Sequence, residues 1–575
     1  MVDQKSNQFS RGFEPRVRDS VDQSTSPGEA AINPQGLWRR GESSWHLGAG
    51  QKYSDTADSQ DYRFWTSKGI NPWTKGELSL LNTVQTSLAT SNTNLKLVTT
   101  GTEVYILDNS TVRYSSNPYA ATPTWTTVTG LPTSSARDIC SDGINVYVTY
   151  AGITNAYGLW KIDSAHAVSN VAYGHEFGYI DFVKGYFIVT GYGTNGNDLY
   201  YSPSGNVGAD DYQHPVSGWQ WVGSAAGPNA IYIAGFAGNH GSVYRLGITT
   251  AGVLETPVNA LELPLGEVPT AIFTYLGGVM IGTNKGVRYA TSDANGDLTV
   301  GSLIPTSGAV YDFASESNYV WFTWSNFDNT SSGLGRLDLS TFTEINRPAY
   351  ASDLMNSVTG TTRSVITFDS KRMFSIAGSG VYAQSTSLVT QGTITTGRYR
   401  WGIPDRKFVA KFDIRTTPLV GTVSPYVSLD SAADTAMTAH TVAGSTESVS
   451  TGPQTKFIEA QFKLELNRAT TTTGPTVTRW MARAYASPAR SQVFRVPILM
   501  HHIQTTGNQE YYFDVEAELV ALRDLVTNPR VVNYQENTET FSVVVEDMEF
   551  QILDGYTGKW DLEGTCIVTM RSVQD

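Results

Sequence analysis

Seven copies of one apolar strand recur along the middle of the chain, and this repeat constrains the fold more than any other feature. The copies read EVYILD (103–108), NVYVTY (145–150), GYFIVTG (185–191), SVYRLGI (242–248), GVMIGT (278–283), YVWFTW (319–324) and RMFSIAG (372–378). A shorter alternating strand precedes them, as in KLVTT, ARDIC, YIDFV, TAIFTYL, VYDFAS and SVITFDS. Most are followed by a third strand anchored by Tyr or Leu: VRYSS, LWKID, LYYSP, VRYAT, GRLDL and VYAQS. The spacing centres on roughly 40–50 residues, the period of four-stranded propeller blades. One small sheet cannot bury both of its faces alone, whereas seven stacked radially can. No stretch between the copies reads as a helix. Residues 86–397 are therefore expected to form a β-propeller of about seven blades. Two β-sandwiches in series are the other architecture this pattern allows.

Composition agrees with a mainly β protein. Only 16% of the 575 residues are charged, and 30 Tyr, 22 Phe and 13 Trp supply the core formers of a β fold. Forty Lys and Arg against 53 Asp and Glu leave a net charge of −13, which argues against a partner built of phosphate backbone. No nucleic-acid partner is expected. The two cysteines, Cys140 and Cys566, sit among apolar neighbours and read as buried thiols, not as a disulfide scaffold. No apolar run is long enough to cross a membrane, and the first twenty residues have no signal-peptide core. The expectation is a chain made and folded in a reducing cytoplasm, or one that leaves the cell by a route other than a signal sequence, with no membrane insertion.

The flanks differ from the repeat. Residues 1–85 are polar, aperiodic and rich in Pro, Gly and Trp, and are expected to form an extended arm. Trp38, Trp45, Trp65 and Trp73 are costly to leave in water, so the arm is expected to dock through them, on its own chain or on a partner subunit. Residues 398–490 contain KFVAKFDIR, GTVSPYVSLDS, KFIEAQFKLELNR and TVTRWMARAYAS, whose two-residue alternation predicts a β-sandwich. Residues 491–575 read as a small α+β module. Its helix is DVEAELVALRDLVTN, capped by Asp514, stopped at Asn528-Pro529, and apolar along Val515, Leu519, Leu522 and Val526.

Catalytic chemistry leaves little trace. The eight histidines show no metal-ligand spacing, and no nucleophile elbow, phosphate loop or dinucleotide loop is present. No catalytic residue, metal or cofactor is assigned. SDANGDLT (292–299) places Asp293, Asn295 and Asp297 as in a calcium loop, but Leu298 and Ile304 stand where such a loop needs Gly and a bidentate Glu. A hairpin turn explains those residues better. The segments 114–128 and 201–222 resemble degraded sialidase-type Asp boxes, so a propeller glycosidase is carried as the enzymatic alternative. The longest loops of the repeat, 210–221 and 325–335, combine aromatic, Asn, Asp, Ser and Gly residues. They make Tyr212, Trp219, Trp221, Trp324, Phe327 and Asp328 the candidate contacts to a sugar or protein surface.

Both ends of the chain carry a further likeness. TGRYRWGIPDRKFVAKFDI (396–414), RWMARAYASPARSQVFRVPILMHH (479–502), ELVALRDLVTNPRVVNYQE (518–536), ETFSVVVEDMEFQ (539–551) and GTCIVTMRSV (564–573) resemble the minor tail proteins of long-tailed bacteriophages that infect actinobacteria. SSWHLGAGQ (43–51) and SKGINPWTKGELSLL (67–81) resemble the opening of such proteins. The resemblance implies a virion protein of the tail tip. It implies assembly with other tail-tip proteins as a homotrimer or ring, while the propeller meets a host cell-wall glycan or surface receptor. A propeller acting only as an assembly scaffold is the third expectation.

Overall fold

The computed structural model describes residues 37–54, 63–133, 135–152, 157–207, 211–228, 230–401, 406–486, 492–501, 503–506, 509–512, 514–536, 538–552 and 563–573. Residues 1–36 of the expected arm, and His502, lie outside the described residues. The chain divides into two compact units, the larger holding residues 16–404 and 408–485.

Six of the seven apolar repeat strands become the second strand of an antiparallel sheet; the copy at 242–248 falls on the third strand of blade four, His240–Gly247, whose second strand is Ala230–Ala237. The first sheet runs Leu95–Thr99, Val104–Asp108, Thr111–Ser115 and Thr126–Thr127, and five more follow in chain order up to Arg347–Asn356. The seventh is assembled from two places. Thr362–Phe368, Lys371–Ile376 and Gly380–Leu388 take as their fourth strand Asn82–Ala89, from before the first blade. The innermost strands touch their neighbours in cyclic order, and that of the seventh blade meets that of the first. The described residues thus form a closed seven-bladed propeller whose ring is fastened by one strand from upstream of the repeat. Second strands such as Val104–Asp108, Val146–Tyr150 and Gly278–Thr283 are buried along their whole length, because each lies mid-sheet with a blade against both faces.

The inner strands share an irregularity. In five blades the register slips by a bulge, at Ala136/Asp138, Phe177/Ile180, Trp221/Gly223, Pro269/Ala271 and Thr362/Ser364. In two of these blades, and in blade six where the register does not slip, a buried threonine near the end of the second strand accepts a backbone N–H in or just before the inner strand. Thr149 takes Asp138 N at 3.1 Å, Thr190 takes Tyr179 N at 3.0 Å, and Thr323 takes Tyr311 N at 2.8 Å. A β-branched hydroxyl in a buried strand is tolerated because it satisfies a backbone amide that the ladder leaves unpaired.

The sandwich is completed from the N-terminal side. One sheet orders Leu37–Glu42, Val477–Ala486, Lys407–Thr416 and Glu447–Thr451. In the other, Tyr53–Ser54 and Thr66–Lys68 both pair with Gln391–Tyr399, which leads on to Ala460–Asn467, Thr422–Leu429 and Thr435–Ala436. Residues 37–54 and 63–81 of the expected arm dock on their own chain as a strap, the first of the two surfaces expected for them. Trp38 and Trp45 are buried in that strap, and Trp73 is half-buried with its ring 5.7 Å from Tyr319 of blade six. Only Trp65 remains exposed. The same strap ties sandwich to propeller, with Ala49 N donating to Tyr350 O at 2.6 Å and Lys68 pairing with Asp328 at 2.5 Å.

At the centre of the sandwich Glu42 is buried among aromatic residues. It accepts from the Tyr399 hydroxyl and, at 3.3 Å, from the Trp480 indole, while Phe412 stacks on Trp480 at 5.5 Å. Burial pushes its pKa up, against the opposing effects of Arg40 and the donors.

The smaller unit holds most of the last ninety residues. Its sheet orders Val493–Met500, Gly564–Ser572, Glu539–Ile552 and Val531–Glu536. The helix Val515–Thr527 starts as the sequence predicts, with the Asp514 carboxylate accepting Ala517 N at 3.1 Å. Val515 and Leu519 are buried with Met500, Val543, Val545, Cys566, Val568 and Met570. Burial raises the thiol pKa of Cys566 here and of Cys140 in the propeller.

Candidate functional site

The aromatic residues expected on binding loops take other places. Trp221 lies in the first strand of blade four, Gln220–Ala226, and Trp219 immediately precedes it; each is only 5% exposed. Between them and Tyr244 sits His214. Its ring stacks on Trp219 at 4.2 Å, its Nε2 lies 2.9 Å from the Tyr244 hydroxyl, and its Nδ1 accepts Val216 N at 3.2 Å. An accepting Nδ1 means that Nε2 carries the proton, and burial holds the histidine pKa below its ordinary value. Trp221 donates to Asn197 O at 3.1 Å, and half-buried Tyr212 packs at 6.4 Å from it. These residues are the seam between blades three and four. Radial stacking makes the first strand of every blade an interior strand, so Trp219 and Trp221 are core residues and not surface contacts.

The second loop is likewise committed. Trp324 ends a second strand and is buried, with half-buried Phe327 edge-on at 4.9 Å. Asp328 is exposed but anchors the strap. Partial burial opposes its ionisation, yet the bonds from Lys68 and Thr330 outweigh this and hold its carboxyl well below the usual range. The Asp293–Asp297 segment is a hairpin turn, with Asp293 Oδ1 accepting Asn295 N at 2.8 Å and Asp297 N at 2.9 Å, and Gly296 at φ +85. Arg245 supplies the neighbouring cation, bonding Asn295 O and reaching Asp297 at 3.5 Å.

The main polar constellation was not singled out from the sequence. Lys96, Asp138, Asp181, Asp312 and Ser364 lie on or beside the innermost strands of five blades. Lys96 Nζ is 2.6 Å from Asp138 Oδ1, and Asp138 Oδ2 accepts Ile180 N of the next blade at 3.0 Å. Asp312 Oδ2 accepts Ser364 Oγ at 2.6 Å and Val365 N at 3.0 Å, and Ser364 Oγ in turn accepts Leu97 N at 3.1 Å. Asp181 accepts from Tyr179 at 2.9 Å and from Ser224 at 3.2 Å. Burial raises the pKa of Asp181, and that of Asp312 to about 6. Burial also opposes the Lys96 charge, but Asp138 outweighs it and keeps the ammonium. Each carboxylate is thereby engaged by a neighbouring blade, and the set acts as staples round the ring. The available signal was a charged residue inside an otherwise apolar first strand: LKL, RDI, IDF and YDF.

Beside this ring two arginines lie over tyrosines. The Arg137 guanidinium is 3.8 Å from the centroid of Tyr192, and that of Arg363 is 4.6 Å from Tyr311. Arg137 adjoins Asp138 in sequence, Tyr311 adjoins Asp312 and Arg363 adjoins Ser364, so both pairs come from the ends of the same inner strands that carry the stapled set. Arg363 is exposed and the other three are half-buried. Among the described residues no cluster of His, Cys, Asp and Glu has the arrangement of a metal site, and no helix is long and apolar enough to cross a membrane.

Sheet order and blade closure define the larger unit as a β-propeller joined to a β-sandwich. Solved structures similar to the chain are propeller proteins of several kinds. Virginiamycin B lyase from Staphylococcus aureus is 15% identical, with a TM-score of 0.39 over 56% of this chain and 99% of that one. YCF48 bound to D1 peptide is 15% identical, with 0.38 over 53% and 96%. BamB from Moraxella catarrhalis is 11% identical, with 0.34 over 52% and 97%. No protein-family profile matches the chain, and no curated protein matches it by sequence.

Proposed function

We propose that this chain is a structural protein of a phage tail tip, which assembles into the distal tail and presents its propeller to the host cell surface. The supporting observation is where the tail-like stretches fall in the larger unit. Residues 43–51, 67–81, 396–401, 406–414 and 479–486 come from opposite ends of the sequence, yet they meet in and beside one sandwich. Leu37–Glu42, just ahead of the first stretch, pairs along Val477–Ala486, and Thr66–Lys68 pairs with Gln391–Tyr399. A likeness that follows one structural body across the whole intervening propeller is more informative than scattered matches. A rigid body of this kind, with a strap binding sandwich to propeller, suits a component that carries a display domain on an assembly domain.

Host contact is reassigned away from the buried tryptophans. The Arg137–Tyr192 and Arg363–Tyr311 pairs offer cations and aromatic rings together, the chemistry that holds sugar hydroxyls and ring faces. The test is mass spectrometry and antibody labelling of purified particles, followed by competition of adsorption with the full chain. The expected result is label at the tail tip, and competition weakened at least several-fold by Arg363→Ala with Tyr311→Ala. Particles lacking the chain would overturn the reading.

A further inference from the structure

The propeller contains eight arginines, and six of them are neutralised. Arg113, Arg245, Arg288, Arg336, Arg347 and Arg372 each have a carboxylate within 3.5 Å. Arg137 and Arg363 have none, and neither makes a hydrogen bond among the described residues; the Arg137 Nε is buried without an acceptor. Carboxylates are plentiful in a chain of net charge −13, so two unpaired guanidiniums mark a place from which they are held away.

The two arginines occupy the same position in their blades. Arg137 is the second residue of the inner strand Ala136–Ser141 of blade two, and Arg363 the second of Thr362–Phe368 of blade seven. Blade one lies between them, its inner strand touching both neighbours. The strand starts meet: Ser364, next to Arg363, accepts Leu97 N of blade one at 3.1 Å, and Asp138, next to Arg137, pairs with Lys96 of that strand at 2.6 Å. Each guanidinium lies against one tyrosine, Tyr192 or Tyr311, and neither tyrosine hydroxyl makes a hydrogen bond among the described residues. The neighbouring acids are committed elsewhere. Glu176 Oε1 accepts Gly152 N at 2.9 Å, and Asp138 and Asp312 are held by Lys96, Ser364 and backbone amides. Ser134 and residues 153–156, which adjoin this region in the chain, lie outside the described residues and carry no ionisable side chain.

We infer that the propeller's ligand is an anionic polymer, carrying carboxylate or phosphate groups along its chain, and that Arg137 and Arg363 each hold one of these groups. A guanidinium lying against a ring keeps its edge free, and the N–H groups along that edge match two oxygens of a carboxylate or phosphate at once. The tyrosine beside it fixes the orientation and leaves a hydroxyl for the sugar. Two such points on either side of blade one favour a repeating charge over a single free anion, because the second contact forms at the local concentration set by the first. This deepens the host-surface reading and rests on it for the ligand being a glycan.

The test is binding of the full chain to immobilised polygalacturonate, which carries carboxylates, to poly(glycerol phosphate), which carries phosphates, and to neutral dextran. At least one charged polymer is expected to bind, about ten-fold or more tighter than dextran, and the one preferred names the anion. Arg137→Gln and Arg363→Gln should each weaken that binding by about five-fold or more at an unchanged melting temperature. Arg363→Lys should keep part of it, since the charge stays and the planar fork is lost. Dextran bound as tightly as the charged polymers, no binding of either charged polymer, or charged-polymer binding that both Gln variants leave intact would each overturn the inference. Inorganic phosphate competing as well as the polymer, monomer for monomer, would overturn its polymeric part. Adsorption separates the two readings: a chain that competes with phage adsorption but prefers dextran refutes the anion alone. A chain that binds a charged polymer yet is missing from purified particles refutes the tail assignment alone.

Discussion

Removing the Glu42 carboxylate tests whether the strap is an integral part of the sandwich. Glu42 is 2% exposed, and the Tyr399 hydroxyl and the Trp480 indole N–H both donate to it. Glu42→Leu leaves two buried donors without an acceptor, at about 1–3 kcal/mol each. Some of that loss is offset because a desolvated carboxylate is also removed, so a net destabilisation of about 2–4 kcal/mol is expected. Glu42→Gln keeps the volume and one acceptor oxygen, and costs no more than about 1 kcal/mol at acid pH. The sign of the pH effect follows from the raised pKa. A carboxyl whose folded pKa lies above its unfolded value contributes stability that is fully present below about pH 4 and is lost as pH rises through the folded value. The Gln variant should therefore gain on wild type as pH rises, then hold a constant difference. Urea denaturation followed by tryptophan fluorescence, with hydrogen exchange of residues 37–54, measures both effects. Equal pH dependence in Gln variant and wild type, or a Leu variant within about 0.5 kcal/mol of wild type, would refute a buried, ionisable anchor.

Three further outcomes are expected. Trp221→Ala should cost about 3–5 kcal/mol as a core deletion, with any loss of surface binding tracking loss of fold in the same preparation. Asp312→Asn should flatten the propeller's stability profile between about pH 4 and pH 6, since the wild-type carboxyl, with its pKa near 6, stabilises the fold most in its protonated form and less as pH rises through that value. Denaturation midpoints taken across that range read this directly, and an unchanged slope would count against it. Asp514→Ala should weaken the C-terminal unit by about 1 kcal/mol through the lost helix cap, seen as faster hydrogen exchange in Val515–Thr527 with the propeller amides unaffected.

The residues that sequence reading placed well are those whose environment is set within a few positions. The strands of the repeat were legible because alternation and β-branched runs are local, and six of the seven apolar copies fall on second strands, while the copy at 242–248 is the third strand of blade four. The helix was legible for the same reason, as Asp514 reaches an amide three residues away. Trp219 and Trp221 were misplaced because Pro, Gly and Asp before them look like a loop, while their burial depends on blades three and four closing over them. The axial set escaped notice because Lys96, Asp138 and Asp312 come from strands far apart in the chain.

By itself, then, the amino-acid sequence determined a mainly β chain, most of its repeated strands and the capped C-terminal helix. Each of these is written in periodicity or in contacts within a turn. Only the tertiary structure decided that Asn82–Ala89 would close the ring, that Leu37–Glu42 would finish the sandwich 440 residues from its partner strand, and that Trp65 alone of the four arm tryptophans would stay in water. Pairings between distant segments leave no local signature, because they depend on complementary edges and buried partners that exist only once the rest of the fold has formed.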